Sequence, residues 1–125
     1  MATFGEVLAA TRRAAGVSQR ALAQAAGVDA SYVNRLERGE RQAPEADLVR
    51  RFAVALHLDE QGTDALVVAG GGLPAALDRL GPLDPTVLLL ADVLSDSAIP
   101  EQERADLRRI VALLARRWRP DLAAN

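Results

Sequence analysis

Apolar residues recur at spacings of three and four along most of the chain, and no segment alternates with a period of two. This pattern predicts amphipathic α-helices and no β-strand. The first predicted helix spans residues 3–15, and Gly16 follows it as a stop residue. Its inward face is Phe4, Leu8, Thr11 and Ala15.

Seven further helices are predicted, each bounded by glycine, proline or a capping side chain such as Ser18, Asp29 or Asp84. A run of three glycines, Gly70–Gly72, loses too much backbone entropy on ordering to lie inside a helix. We therefore expect an all-α protein with five helices in residues 1–70 and three in residues 71–125. The further helices span about residues 19–26, 30–38, 44–56, 59–69, 73–80, 85–96 and 100–118.

The composition excludes several classes of protein. Half of the residues are hydrophobic and 26% are charged, as in a globular domain, and no apolar run approaches the ~18 residues that cross a membrane. The chain has no cysteine and a single histidine, His57, so it offers neither a thiolate nor a metal-binding cluster. We expect no cofactor, no metal, no catalytic residue and no enzymatic activity, and a cytoplasmic protein without a secretory signal.

Positive charge is concentrated in one part of a chain whose net charge is −2. Residues 12–51 contain eight arginines and five acidic residues, which gives this segment a net charge of +3. A basic region of this kind is typical of a surface that binds nucleic acid. The arginines are at positions 12, 13, 20, 35, 38, 41, 50 and 51.

The segment Ser18–Gly39 reads SQRALAQAAGVDASYVNRLERG. It predicts two short helices joined by a turn that starts at Gly27, which is the helix-turn-helix layout. The second helix of that layout lies in the DNA major groove, where Asn suits adenine, Arg suits guanine, Ser suits either, and Ala suits the thymine methyl. The predicted base-contacting residues are Ala30, Ser31, Asn34 and Arg35.

A wider set of residues at fixed spacing carries a resemblance to a known family. The set comprises Arg12, Gly16–Gln19, Leu22-Ala23, Ala26–Val28, Tyr32–Gly39, Pro44, Leu48, Phe52-Ala53 and Ala55-Leu56. With it, residues Phe4–Leu66 resemble the lambda-repressor/Cro-type helix-turn-helix family, also called the Xre family. The resemblance implies a five-helix DNA-binding domain that regulates transcription.

The resemblance also implies roles for individual residues. Gln19 corresponds to a position that contacts the DNA backbone and braces a residue of the recognition helix. Arg12 and Glu37 match a pair that the family uses as a buried salt bridge, and two unrelated surface charges are the alternative. The residues expected at the DNA backbone are Ser18, Gln19, Arg20, Tyr32, Arg38, Arg41 and Gln42.

Two features depart from the family pattern. His57 occupies a position that is usually glycine at the end of the fourth helix, so we expect that helix to end differently. Glu40 and Glu45 place negative charge beside Arg41, which should weaken non-specific attraction to phosphate.

The C-terminal region carries more apolar surface than three small helices can bury, which predicts a homodimer. The alternatives are a monomeric mini-core packed on the N-terminal domain and a membrane-surface helix that uses Arg116, Arg117 and Arg119. The residues expected at the dimer interface are Leu88, Leu89, Val93, Leu107, Ile110, Val111, Leu114 and Trp118.

The arrangement of residues 72–118 is also similar to the tail of repressors of DNA-damage and mobile-element genes that ImmA/IrrE-like metalloproteases cleave, although the loop at Asp96–Pro100 is shorter. The sequence therefore predicts a homodimeric, nucleoid-associated repressor that binds a palindromic double-stranded operator. The alternative is an antitoxin or protease-responsive adaptor whose C-terminal half binds a toxin or a metalloprotease.

Overall fold

The computed structural model describes residues 2–121, and every regular element in that range is an α-helix. The all-α prediction is confirmed for this part of the chain, while the ends of the predicted ranges 1–70 and 71–125 lie outside it. In chain order the helices are α1 (Phe4–Ala14), α2 (Gln19–Ala26), α3 (Ala30–Glu37), α4 (Ala46–Ala55), α5 (Glu60–Ala69), α6 (Ala75–Leu80), α7 (Pro85–Ser95) and α8 (Glu101–Ala115).

Several predicted helix ends were wrong by a few residues. Ala15, predicted on the inward face of the first helix, is exposed and lies just beyond α1. The sixth helix begins at Ala75 because the residue before Pro74 is driven out of the helical conformation. The last helix ends at Ala115, so Trp118 lies in the hydrogen-bonded turns that follow it.

Asp29 occupies the N-cap position of α3, but its side chain accepts no capping hydrogen bond there. The prediction that Asp29 caps this helix is therefore wrong in its mechanism, although the start of the helix is right. The side chains of Ser18 and Asp84 do accept such bonds, from the amides of Ala21 and of Thr86 and Val87.

A single hydrophobic core lies among α1 to α5. Helix α2 packs on α3 and α4, α1 packs on α3 and α5, and α4 packs on α5. No residue of α6, α7 or α8 is buried. The fully buried large side chains of this core are Leu8, Leu22, Val33, Leu36, Val49, Phe52, Leu66 and Val67.

The chain separates into two compact units with the break between Leu80 and Gly81. Helix α6 therefore belongs to the first unit, and the amide of Ala75 donates a hydrogen bond to Asp64 Oδ1 at 3.0 Å. The break between units falls after α6, and the domain boundary at Gly70–Gly72 stays a prediction. Within residues 2–121, no helix is long and apolar enough to cross a membrane.

Helix α4 ends on a histidine in a left-handed conformation. The φ of His57 is 56°, and among the described non-glycine residues it is the one with positive φ. The amide of His57 donates to the carbonyl of Val54 at 3.1 Å, and that of Leu58 donates to the carbonyl of Ala53 at 3.0 Å. This is the Schellman pattern that glycine usually completes. The expectation that His57 changes the helix end is therefore wrong.

Replacing His57 by glycine should stabilise the first unit by about 0.5–1 kcal/mol. A residue with a Cβ atom pays about 1–2 kcal/mol to adopt the left-handed conformation, and glycine avoids this cost. Glycine also raises the entropy of the unfolded chain, which cancels part of the stabilisation. Urea unfolding measures the difference. His57→Ala is the control, because it keeps the Cβ atom and should bring no comparable gain; equal stability of the two variants would contradict the explanation.

Candidate nucleic-acid interface

Helices α2 and α3 meet at a tight turn around Gly27. The φ of Gly27 is 76°, a conformation that other residues adopt only with strain, and the amide of Val28 donates to the carbonyl of Ala23 at 2.9 Å. The Oγ of Ser18 accepts from the amide of Ala21 at 3.0 Å and fixes the start of α2. The sequence thus determines both ends of α2 locally.

Packing divides α3 into a buried face and an outward face. Val33 and Leu36 of α3 are buried against Leu22, Ala23 and Ala26 of α2 in the common core. Because these apolar residues occupy one side of a helix of about two turns, the remaining side chains are left outside the core.

The predicted contact residues are all exposed or half-buried. Of the base-contacting set, Ala30, Ser31 and Arg35 are exposed and Asn34 is half-buried. Of the backbone-contacting set, Gln19 and Tyr32 are half-buried. The others are exposed, namely Ser18, Arg20, Arg38, Arg41 and Gln42.

A chain of polar side chains joins the outward face of α3 to α1 and α2. Arg12 Nε donates to Glu37 Oε2 at 2.6 Å and Arg12 Nη2 donates to Glu37 Oε1 at 2.9 Å. Gln19 Nε2 donates to Glu37 Oε1 at 3.0 Å, and Asn34 Nδ2 donates to Gln19 Oε1 at 3.4 Å. The half-buried Asn34 is therefore linked through Gln19 to a buried ion pair.

The Arg12–Glu37 pair is shielded from water, since the two side chains are only 12% and 5% exposed. Arg12 also donates from Nη1 to the carbonyl of Val17 at 3.0 Å, which ties down the segment between α1 and α2. A planar guanidinium that binds a carboxylate through two nitrogens fixes direction as well as distance. One side chain thus orients three elements of the first unit.

The pKa of Glu37 reflects this pairing. Burial alone would raise the pKa of this carboxyl, but hydrogen bonds from Arg12 and Gln19 and the charges of Arg12 and Arg13 bring it below its ordinary value of 4.5. The hydrogen bond to Glu37 raises the pKa of Arg12, although burial opposes it. Both groups are therefore charged at neutral pH.

The carboxylate of Glu40 lies close to Arg38, which the sequence did not indicate. Arg38 Nη2 lies 3.5 Å from Glu40 Oε1, and both side chains are largely exposed. From the sequence, Glu40 is expected beside Arg41 alone. Because Arg38 shares its charge with a carboxylate, we expect it to attract phosphate less strongly than Arg41 does.

Two residues that the sequence did not single out hold α2 and α3 in place. A Cβ atom on Gly5 would lie 2.1 Å from the carbonyl oxygen of Leu36, so only glycine allows α1 to approach the end of α3 this closely. Arg51 of α4 donates from Nη1 to the carbonyl of Ala26 at 3.0 Å, where α2 ends. The position of Gly5 inside an apolar helix pattern is a sequence feature that indicates close packing. No feature of the sequence other than charge distinguishes Arg51.

The residues predicted at a dimer interface lie in the second unit, where most are exposed. Val93 and Leu107 are half-buried. Leu113, which the prediction left out, is 54% exposed. The exposed members of the predicted set are Leu88, Leu89, Ile110, Val111, Leu114 and Trp118.

Comparison with known proteins agrees with this geometry. Residues 3–66 match the family model described as "Helix-turn-helix domain". The chain is 26% identical over 118 residues to the HTH-type transcriptional repressor RghR of Bacillus subtilis, an alignment that covers 94% of this chain and 78% of that protein.

Two further relatives come from Mycobacterium tuberculosis. They are the uncharacterized HTH-type transcriptional regulators MT0491 of strain CDC 1551 and Rv0474 of strain H37Rv, and each is 32% identical over 110 residues, with coverage of 86% of this chain and 69% of the relative. No solved structure matches the chain. The family match spans more than half of the protein, which therefore belongs to the helix-turn-helix domain family.

Replacing Glu37 by alanine should destabilise the first unit by about 3–5 kcal/mol, because Arg12, whose side chain is only 12% exposed, is left without a counter-charge. Thermal and urea unfolding measure the loss. Glu40→Ala is the matched control, since it removes an exposed carboxylate and should cost less than about 1 kcal/mol. Equal effects of the two substitutions would contradict the structural role of the buried pair.

Glu37 should also make stability depend on acid pH. Because its pKa is lower in the folded state, the stabilisation is fully present above about pH 4.5 and is lost as the pH falls through the folded-state value. Urea unfolding at a series of acid pH values measures the slope. In Glu37→Gln that slope should be shallower, and an unchanged slope would show that other carboxylates are responsible.

Proposed function

We propose that the protein is a sequence-specific, double-stranded-DNA-binding transcriptional regulator that acts as a homodimeric repressor on an inverted-repeat operator. The outward face of α3 carries the proposal. Ser31 and Arg35 are exposed there, and Asn34 is braced by Gln19, while the opposite face is committed to the core. A rigid helix that presents such side chains suits the major groove.

Base reading is assigned to Ala30, Ser31, Asn34 and Arg35. Arg35 is exposed and can reach both acceptors of a guanine, and the short Ala30 can contact a thymine methyl. Asn34 uses one amide hydrogen on Gln19 and keeps its oxygen and its second hydrogen for an adenine. The bracing favours one side-chain position before DNA arrives, which lowers the entropy lost on binding.

Phosphate contacts flank the reading helix in this proposal. Ser18, Gln19 and Arg20 begin α2 on one side, and Arg41 and Gln42 follow α3 on the other. Tyr32 and Arg38 complete the set, with Arg38 weakened by Glu40. Contacts to phosphate fix register and contribute affinity without reading sequence.

Repression and dimerisation are proposed from two observations. A relative over most of the chain is named a transcriptional repressor. The second unit exposes apolar side chains that a second copy can cover. Two recognition helices about 34 Å apart would then meet successive major grooves of an inverted repeat, in the cytoplasm and on the nucleoid.

An antitoxin or adaptor that uses the second unit to bind a toxin or a metalloprotease is the second candidate, and the same exposed side chains favour it. The connection at Asp96–Pro100 argues against cleavage there. Arg104 donates to the carbonyls of Ile99 and Leu94 at 3.1 and 3.3 Å, and the amide of Ala98 donates to Asp96 Oδ1 at 2.9 Å. These bonds hold the segment in a compact turn.

Selection of bound duplexes from a random pool tests the proposed function. An inverted repeat with half-sites one helical turn apart, or a multiple of it, is the expected outcome. Enrichment of a single half-site would overturn the dimeric mode of binding, and no enrichment over the starting pool would overturn sequence-specific recognition.

Replacing Arg35 by alanine should cost about 1–3 kcal/mol of discrimination at one base pair and leave the fold intact, because the side chain is exposed and reads a base edge. Arg41→Ala is the comparison, since it should weaken binding to all sequences and reduce the salt dependence. Titrations of the selected duplex and its single-base variants separate the two effects. Unchanged operator binding by Arg35→Ala would refute the placement of the reading helix.

A further inference from the structure

Helix α8 distributes its charge and its apolar residues unevenly. Residues 101–106 contain three acids and one arginine, for a net charge of −2. Residues 107–119 contain five arginines and no acid, for a net charge of +5. The helix and the turns after it are therefore acidic at one end and basic at the other.

An apolar stripe lies between these ends. Leu107, Ile110, Val111 and Leu114 follow one another at spacings of three, one and three, which places them on one side of α8. Ile110 is 55% exposed and Leu114 is 51% exposed, and no residue of α8 is buried. The second unit therefore leaves this stripe largely open to water.

We propose that two copies of the chain pair along this stripe, with their α8 helices antiparallel and the two-fold axis near Val111. The inference rests on the proposed homodimer, narrows its expected surface to α8 and adds the orientation of the two helices. The proposed occupant of the stripe is a second copy of the chain. In a two-fold dimer the same surface of each copy meets, so this surface must be complementary to itself. A helix that is acidic at one end and basic at the other matches its own copy when the two run in opposite directions.

The register follows from counting residues from the proposed axis. With the axis near Val111, the arginines at positions 116, 117 and 119 lie at the level of the partner's Glu103 and the partner's Asp106. Arg117 is on the same flank of the stripe as Asp106. A parallel pair would instead bring the basic ends together and the acidic ends together. A membrane-bound helix would carry its basic residues along the whole polar face, and Glu101 and Glu103 interrupt that pattern.

The salt dependence of self-association tests the orientation on the wild-type chain without DNA. Sedimentation or light scattering should show a dimer whose dissociation constant rises with salt, because opposite charges across the interface are screened. A dissociation constant that falls with salt would indicate parallel helices and overturn the proposal. A wild-type monomer at all concentrations would overturn it as well.

Charge reversal provides a sharper test. The triple variant Arg116→Glu, Arg117→Glu, Arg119→Glu should raise the dissociation constant about tenfold or more, because both ends of α8 are then acidic. Adding Glu101→Arg, Glu103→Arg and Asp106→Arg reverses the other end and should restore dimerisation. Circular dichroism checks that the total helical content is unchanged in each variant. Failure of the second set to restore the dimer would overturn the antiparallel register.

Substitution within the stripe tests the surface itself. Ile110→Asp should give a monomer, whereas Val54→Asp, at a residue 75% exposed on α4, is the matched control and should leave the dimer intact. Trp118 is the sole tryptophan and is 71% exposed, so its emission should shift to longer wavelength when the dimer dissociates on dilution. A dimeric Ile110→Asp would place the interface elsewhere.

The base preference tests DNA binding, and the oligomeric state tests the α8 interface. A monomeric Ile110→Asp that keeps the base preference of the wild type at a single half-site would support both inferences. A chain that dimerises as described but selects no DNA sequence would refute the proposed function and leave the α8 interface standing.

Discussion

The buried carboxylate of Glu37 is the constraint on which the arrangement of the first unit depends. A charge with 5% of its side chain exposed must be neutralised, and Arg12 and Gln19 meet that requirement with three hydrogen bonds. Those donors come from α1 and α2, whereas the carboxylate is on the last turn of α3. Helix α3 therefore cannot rotate or slide without leaving a shielded charge unpaired.

Glycine and arginine contacts reinforce the same geometry from other directions. Gly5 lets α1 approach the carbonyl end of α3, and Arg51 holds the end of α2 from α4. Because Asn34 bonds to Gln19, the order imposed by the ion pair extends to a side chain at the outer surface. Specific recognition of base edges requires this kind of fixed geometry, since a side chain displaced by an ångström loses its hydrogen bonds.

The second unit differs from the first in how its helices are stabilised. Helices α7 and α8 contain no buried residue. Hydrogen bonds at the helix ends and at the Asp96–Pro100 connection hold them, and their apolar side chains are left for a partner surface to cover. In the proposed homodimer, the affinity for a repeated operator would depend on association of two copies, while each first unit keeps its own core.

Local sequence determined the helical class, the two ends of α2, the buried Val33 and Leu36 and the outward side chains of α3, because capping residues and apolar spacing act within a few residues. The family pattern also paired Arg12 with Glu37. Only the tertiary structure decided what depends on segments that are distant in sequence: the close approach of α1 to α3 at Gly5, the contact of Arg51 with the end of α2, and the membership of α6 in the first unit. His57 adopts a left-handed backbone that its own preference disfavours, because the hydrogen bonds within residues 53–58 close the end of α4 at this position.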